Sequence, residues 1–172
     1  VIEVVLIGGE SYLREDWCEI IARIAERGMQ PLITTGGRGM SPERARAAKR
    51  AGLLSASVSI DGSRATHDLQ RGVTGSYDAA LAAMANLRAA DIAVSANSQI
   101  NKLSLPELPD VLETIIEHGA HSWQIQLTVA MGRAADRPEW GRTRLAQKPS
   151  VIRSRPRPRA RRTRTRCRAD RS

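Results

Sequence analysis

Gly8-Gly9-Glu10 is the first stretch of this chain whose residue types point to chemistry. Glycines let a backbone approach a ligand closely and expose its N–H and C=O groups. A carboxylate beside them can accept a charge-assisted hydrogen bond from an ammonium group. A tight turn with a solvated glutamate accounts for the same residues about as well, because short glycine motifs are weak signals. Ser59 and Asp61 come next, at spacing two, which places a hydroxyl and a carboxylate on one strand face. Such a pair suits ribose hydroxyls or another polar substrate. Arg71 carries a planar fork that grips a carboxylate through two hydrogen bonds. The plainer account of both is an Asp-Gly turn with a surface arginine. His118 and His121 have a metal-like spacing, but Gly119 between them ends a helix. A histidine at a helix C-terminus is favoured simply as a cation.

The elements that must position these groups are legible from periodicity and capping. Apolar runs at 1–7, 30–34, 53–60, 92–100 and 123–129 read as strands. The first is nearly continuous, as in a strand buried on both faces of a parallel sheet. Helices are expected over 15–27, ended by Gly28, and over 42–51, where Ser41 is the N-cap, Pro42 the first residue and Gly52 the stop. A third helix begins at a Ser76 cap and runs through Leu81, Met84 and Leu87. A fourth begins at a Ser104 cap and ends at Gly119. Five strands alternating with four helices predict a partial β/α barrel or open sheet of parallel strands joined by right-handed crossovers. In such folds function gathers at the C-terminal strand ends. The small and polar residues lie there: 8–10, 34–37, 59–62, 97–99 and 126–133.

The net charge of +9 divides unevenly. Residues 141–172 hold twelve Arg, one Lys and one Asp, so the preceding body is mildly acidic. This Arg/Pro-rich segment has no periodic apolar face to offset the entropy of ordering, so disorder is expected there and a folded body over 1–140. Two cysteines, Cys18 and Cys167, make neither a disulfide framework nor a four-ligand metal site. No run approaches the roughly 20 apolar residues that span a bilayer, so no membrane partner and a cytoplasmic location are the expectation.

The ordered set IGGESYL (7–13), LITTGG (32–37), SVSIDG (57–62), HDLQRG (67–72), GSYDAAL (75–81), SANSQINK (95–102) and QLTVAMGRA (126–134) resembles the radical SAM superfamily. Within it, the likeness is to the branch with SPASM-type extensions, whose members often modify peptides or proteins. The resemblance implies a partial barrel that binds S-adenosylmethionine and a [4Fe–4S] cluster. It implies a 5′-deoxyadenosyl radical that abstracts hydrogen from a peptide or protein, with electrons from a flavodoxin- or ferredoxin-like donor. By the same resemblance, Gly8, Gly9 and Glu10 hold the methionine ammonium, Ser59 faces the ribose or carboxylate region with Asp61 behind it, and Arg71 pairs with the methionine carboxylate. Asn97 and Gln126 face the cavity.

The family's C-x3-C-x2-C cluster motif is not found in the sequence, and Cys18 and Cys167 do not replace it. The expectation is therefore a piece of such an enzyme, with no catalytic or metal-ligating residue of its own and a tail that reads like a shifted frame. Two other classes compete. A non-redox β/α nucleotide-binding domain needs a phosphate loop, and Glu10 repels a phosphate where the first glycines present it. A nucleic-acid binder working through the arginine tail lacks interleaved aromatics, leaving only non-specific, salt-sensitive attraction.

Overall fold

The computed structural model describes residues 2–127. They form one parallel sheet of five strands, curled into a half-barrel: β1 (Glu3–Leu6), β2 (Gln30–Thr35), β3 (Ser55–Ser59), β4 (Ala93–Ile100) and β5 (Trp123–Leu127). Strand order follows chain order, with Glu3 beside Gln30, Leu32 beside Ser55, Ser55 beside Ala93 and Ala96 beside Trp123. Between them lie helices α1 (Trp17–Glu26), α2 (Pro42–Ala51), α3 (Arg64–Arg71), α4 (Ser76–Ala89) and α5 (Leu108–Glu117). Among the described residues, no helix is long and apolar enough to cross a membrane. The last residues expected in the fifth strand, the polar stretch beyond 127 and the arginine-rich segment lie outside the described residues.

The core sits between the outer sheet face and the helices. Ile33, Ala56, Val58, Val94 and Ala96 meet Ile21, Ala45, Ala48, Ala80, Ala83, Met84, Leu87, Val111 and Ile115. Alternation sends the other strand residues inward. Ser55, Ser57, Ser95, Asn97, Gln99, Gln124 and Gln126 line a concave groove of about 480 Å³, together with Val5, Ile7 and Leu32. The expectation that β1 is buried on both faces fails for this reason. Among the described residues β1 pairs only with β2, its inner residues look into the open concavity, and Val5 and Ile7 are 46% and 73% exposed.

Capping explains the other departures. Ser41 and Gly52 bound α2 as expected, with the Ser41 hydroxyl accepting from the Arg44 N–H at 3.3 Å. Ser76 is not the cap of its helix. Gly75 takes that position at φ +82°, and the Asp68 carboxylate accepts from the Gly75 N–H, the Tyr77 N–H and the Ser76 hydroxyl at 2.7–2.8 Å. Ser104 holds the N-cap position of a 3-10 turn rather than of α5, and its side chain makes no capping bond there; its hydroxyl accepts from the Asn101 N–H at 3.1 Å. The 3-10 turn (Leu105–Glu107) follows, and α5 starts at Leu108 with Pro109 in its first turn. Pro109 has no N–H to give to a preceding turn, so it cannot lie deeper inside a helix. Helix α3 was not expected. Its residues RATHDLQR have little apolar character, and it is anchored by capping instead. The Glu107 carboxylate accepts from the Ser63 N–H (2.7 Å), the Ser63 hydroxyl (3.0 Å) and the Thr66 hydroxyl (2.7 Å). Gly72 closes the other end in the left-handed conformation.

Candidate functional site

β1 ends at Leu6, and Gly8 and Gly9 then turn the chain at φ +91° and +50°. A Cβ added at either would meet nothing within 4 Å. The glycines are therefore required by backbone direction, and they leave open space above them. The turn returns Glu10 to the end of the neighbouring strand. Its Oε1 accepts from the Gly36 N–H at 3.0 Å, and its Oε2 accepts from the Thr35 hydroxyl. Thr35 in turn accepts from the Gly37 N–H at 2.8 Å, and the Tyr12 phenol lies 2.9 Å from the same oxygen. That phenol also donates to the Arg38 carbonyl at 3.0 Å. Burial pushes the Tyr12 phenol well above its ordinary value, so it stays protonated and a donor. Gly36 and Gly37 had the same sequence signature as Gly8 and Gly9, but their environment differs. A Cβ on Gly37 would lie 2.8 Å from the Ala80 Cα and 2.9 Å from the Ala83 Cβ, so this glycine seats α4 against the strand end.

A second group forms at the ends of β3 and β4. Ser59 closes β3, and its hydroxyl donates to the Asn97 Oδ1 at 3.1 Å. Asn97 Nδ2 donates to the Ser57 hydroxyl at 3.0 Å. Asp61 is 3% exposed. Its Oδ1 accepts from the Gln99 N–H at 2.9 Å, and its Oδ2 receives the Arg71 Nε and Nη2, each at 2.6 Å. Arg71 thus ends α3 with its guanidinium anchored to the β3 end. Gln99 links onward, its amide donating to the Gln126 Oε1 at 2.6 Å. Of the expected residues, the structure joins Ser59 to Asn97 and Asp61 to Arg71, and the Gln99 residue connects Asp61 to Gln126. Glu10 stands apart from these, tied to β2. Asn97 and Gln126 line the groove, which reaches Ile7 but does not take Gly8, Gly9, Glu10, Ser59, Asp61 or Arg71 into its lining.

Thr35 and Gln99 belong to the polar strand-end stretches and His67 to the HDLQRG motif, but the sequence assigns none of them a role. Thr35 lay inside a quoted Thr-Gly stretch, but its partner is far away in the chain. His67 is fully buried and its Nδ1 accepts from the Asp61 N–H at 3.0 Å, which places the ring proton on Nε2. Burial lowers its pKa, against the opposing pull of the Asp61 carboxylate. His118 caps α5 at its C-terminus, with Nδ1 2.8 Å from the Thr114 carbonyl.

A family model for the Radical SAM superfamily matches residues 1–117. The chain belongs to the radical SAM superfamily. Membership implies S-adenosylmethionine and a [4Fe–4S] cluster as cofactors. Among its relatives is an AdoMet-dependent heme synthase of Nitratidesulfovibrio vulgaris, 32% identical over 133 residues, covering 77% of this chain and 36% of that protein. Another is the sporulation killing factor maturation protein SkfB of Bacillus subtilis, 27% identical over 136 residues, covering 79% of this chain and 33% of that protein. The chain thus spans about a third of the length of these curated relatives. The radical SAM half-barrel is also similar in fold to Streptococcus suis SuiB bound to S-adenosylmethionine, with a TM-score of 0.64 at 14% identity over 74% of this chain and 30% of that one.

The residues present can be compared with what the two radical SAM cofactors need. For S-adenosylmethionine the fit is good. Two glycines leave open space at the end of β1, a carboxylate is fixed beside them, and the buried Ser11 hydroxyl directly after Glu10 has no protein partner. The cluster does not fit the described residues. They contain one free cysteine, Cys18, half-buried on α1, and no group of three His, Cys, Asp or Glu that could hold a metal ion.

Proposed function

We propose that this chain forms the S-adenosylmethionine-binding wall of a radical SAM enzyme that acts on a peptide or protein. The carrying observation is the Glu10 carboxylate, held at both oxygens beside two glycines that leave space for a ligand. In this reading Glu10 accepts a hydrogen bond from the methionine ammonium. Gly8 and Gly9, with no side chains, let the ligand approach the backbone closely. Arg71, anchored by Asp61, faces the methionine carboxylate, and Ser59 with Asn97 serves the ribose. When bound, S-adenosylmethionine supplies the sulfonium from which the family draws its 5′-deoxyadenosyl radical. The chain's own part is to bind and orient it; hydrogen abstraction and electron delivery belong to the whole protein.

The inner wall bears on the substrate. Among the described residues its polar lining is made of serine, threonine, asparagine and glutamine, with no ionisable side chain. Neutral amides and hydroxyls match a peptide main chain, which exposes one donor and one acceptor at each non-proline residue. The relative named as a heme synthase favours a second reading, in which the substrate is an iron porphyrin. Porphyrin carboxylates are better matched by arginine forks or lysine ammonium groups, and the described groove has neither.

The test of the cofactor reading is S-adenosylmethionine binding by the 172-residue chain, followed by isothermal titration. A hydrogen bond to a charged group contributes roughly 1.5–3 kcal/mol, so Glu10→Ala should weaken binding about tenfold to a hundredfold. Arg71→Ala should act in the same direction. Glu15→Ala, in the segment leading into α1, should change little. If Glu10→Ala binds as tightly as the parent, the clamp assignment is wrong. Titration with an iron porphyrin should leave the Soret band unshifted; a saturable shift would favour the second reading.

A further inference from the structure

We infer that Thr35 is a positioning residue for Glu10, acting through a hydroxyl relay that starts at Tyr12. The inference rests on the proposed role of Glu10 and extends it to a residue on a different strand. An ionised carboxylate has no proton to give, so the Thr35 hydroxyl must be the donor in its contact with the Glu10 Oε2. Thr35 Oγ1 then has two lone pairs left. One accepts from the Gly37 N–H at 2.8 Å. The other faces the Tyr12 phenol at 2.9 Å. The single phenol proton is shared between Thr35 Oγ1 and the Arg38 carbonyl at 3.0 Å. The Thr35 oxygen is thereby saturated, and its proton has one direction left, toward Glu10.

The relay has a physical consequence. Chains of hydrogen bonds polarise one another inside a protein, so the bond to Glu10 is stronger than an isolated hydroxyl contact. Thr35 and Tyr12 are both 2% exposed, which keeps water from competing for these partners. With the Gly36 N–H on Oε1 and Thr35 on Oε2, both carboxylate oxygens are fixed. A glutamate on an exposed turn would have to give up its rotamer freedom on binding an ammonium group. Here that freedom is removed on folding, before the ligand arrives. Threonine suits the position because its methyl group restricts χ1, while the buried side of β2 leaves little room to turn.

The test is a double-mutant cycle on S-adenosylmethionine affinity, with folding checked by circular dichroism. Thr35→Val and Thr35→Ala should each weaken binding about 3- to 10-fold, the range set by freezing one long side chain. Thr35→Ser keeps the donor and should stay within about twofold of the parent. In a Glu10→Ala background Thr35→Val should have no effect, because nothing is left to position. Thr35→Ala carries the same test should the valine variant not fold. Two outcomes overturn the inference while leaving the clamp intact: Glu10→Ala weakens binding and Thr35→Val does not, or the Thr35→Val effect persists undiminished in the Glu10→Ala background. If instead the parent shows no S-adenosylmethionine binding, or Glu10→Ala leaves it unchanged, the clamp itself falls and Thr35 loses its role with it.

Discussion

Gly37→Ala and Gly8→Ala are the same substitution at two glycines with similar φ, +87° and +91°. The structure predicts different results. At both sites an alanine is forced into a left-handed conformation, at a cost of roughly 1–2 kcal/mol. At Gly8 nothing more is lost, because the added Cβ meets open space. At Gly37 the Cβ would sit 2.8 Å from the Ala80 Cα, 2.9 Å from the Ala83 Cβ and 3.0 Å from the Ala79 carbonyl oxygen. Two of these three atoms are backbone, so rotating a side chain gives no relief. The helix must move, and overpacking of this kind costs about 1–3 kcal/mol more. The expected destabilisation is therefore about 2–5 kcal/mol for Gly37→Ala and about 1–2 kcal/mol for Gly8→Ala. With a urea m-value of roughly 2 kcal/mol per molar, the midpoint falls by about 1–2.5 M in the first case and by less than about 1 M in the second. Ligand binding should show the reverse order at 25 °C in the absence of urea, with Gly8→Ala weakening S-adenosylmethionine binding more than its small stability change explains. A Gly37→Ala midpoint within about 0.3 M of that of Gly8→Ala would refute the packing argument.

Two further outcomes concern His67 and Glu107. His67 is neutral in the fold with its pKa depressed, chiefly by burial, whereas in the unfolded chain it titrates near 6.5. Below about pH 6.5 the unfolded state binds a proton that the folded state refuses, so stability falls with falling pH until the folded ring also titrates, at up to about 1.4 kcal/mol per pH unit. Urea midpoints between pH 7 and 5 should show this slope, and His67→Gln should flatten it; an unchanged slope would remove His67 as its source. Glu107→Ala deletes three hydrogen bonds at the start of α3 and should cost about 1–3 kcal/mol. Hydrogen exchange should report the loss first in α3 amides, and a loss spread evenly over the molecule would argue against a local cap.

The strands were readable because hydrophobic periodicity and glycine stops are local signals. Ser41, Pro42, Gly52 and the run Val4–Ile7 carry their meaning within a few residues. The misread features all depend on distant partners. Asp68 displaces Ser76 as a cap because a bound carboxylate is the stronger acceptor, and Glu107 creates a helix start 44 residues earlier in the chain. The two glycine pairs show the limit most clearly. Gly8-Gly9 and Gly36-Gly37 are indistinguishable by composition, and only the presence of α4 against Gly37 separates an open turn from a packing contact. Gly8, Gly9 and Glu10 follow the end of β1, and Ser59 and Asp61 stand at the end of β3, whereas Arg71 ends α3 and Asn97 lies within β4. Their grouping was not foreseen, because Asp61 holding Arg71 and Thr35 holding Glu10 are contacts across elements.

The sheet also has a consequence for synthesis. Its strands lie side by side in the order in which a ribosome releases them, each pairing only with its chain neighbours. Among the described residues no strand has to be inserted between two others that have already paired. Within residues 2–127 each new β/α unit therefore finds its docking edge already made, and pairing can follow synthesis from β1 to β5. Until the next unit arrives, the exposed edge is the surface that a chaperone, or a stray strand, meets first.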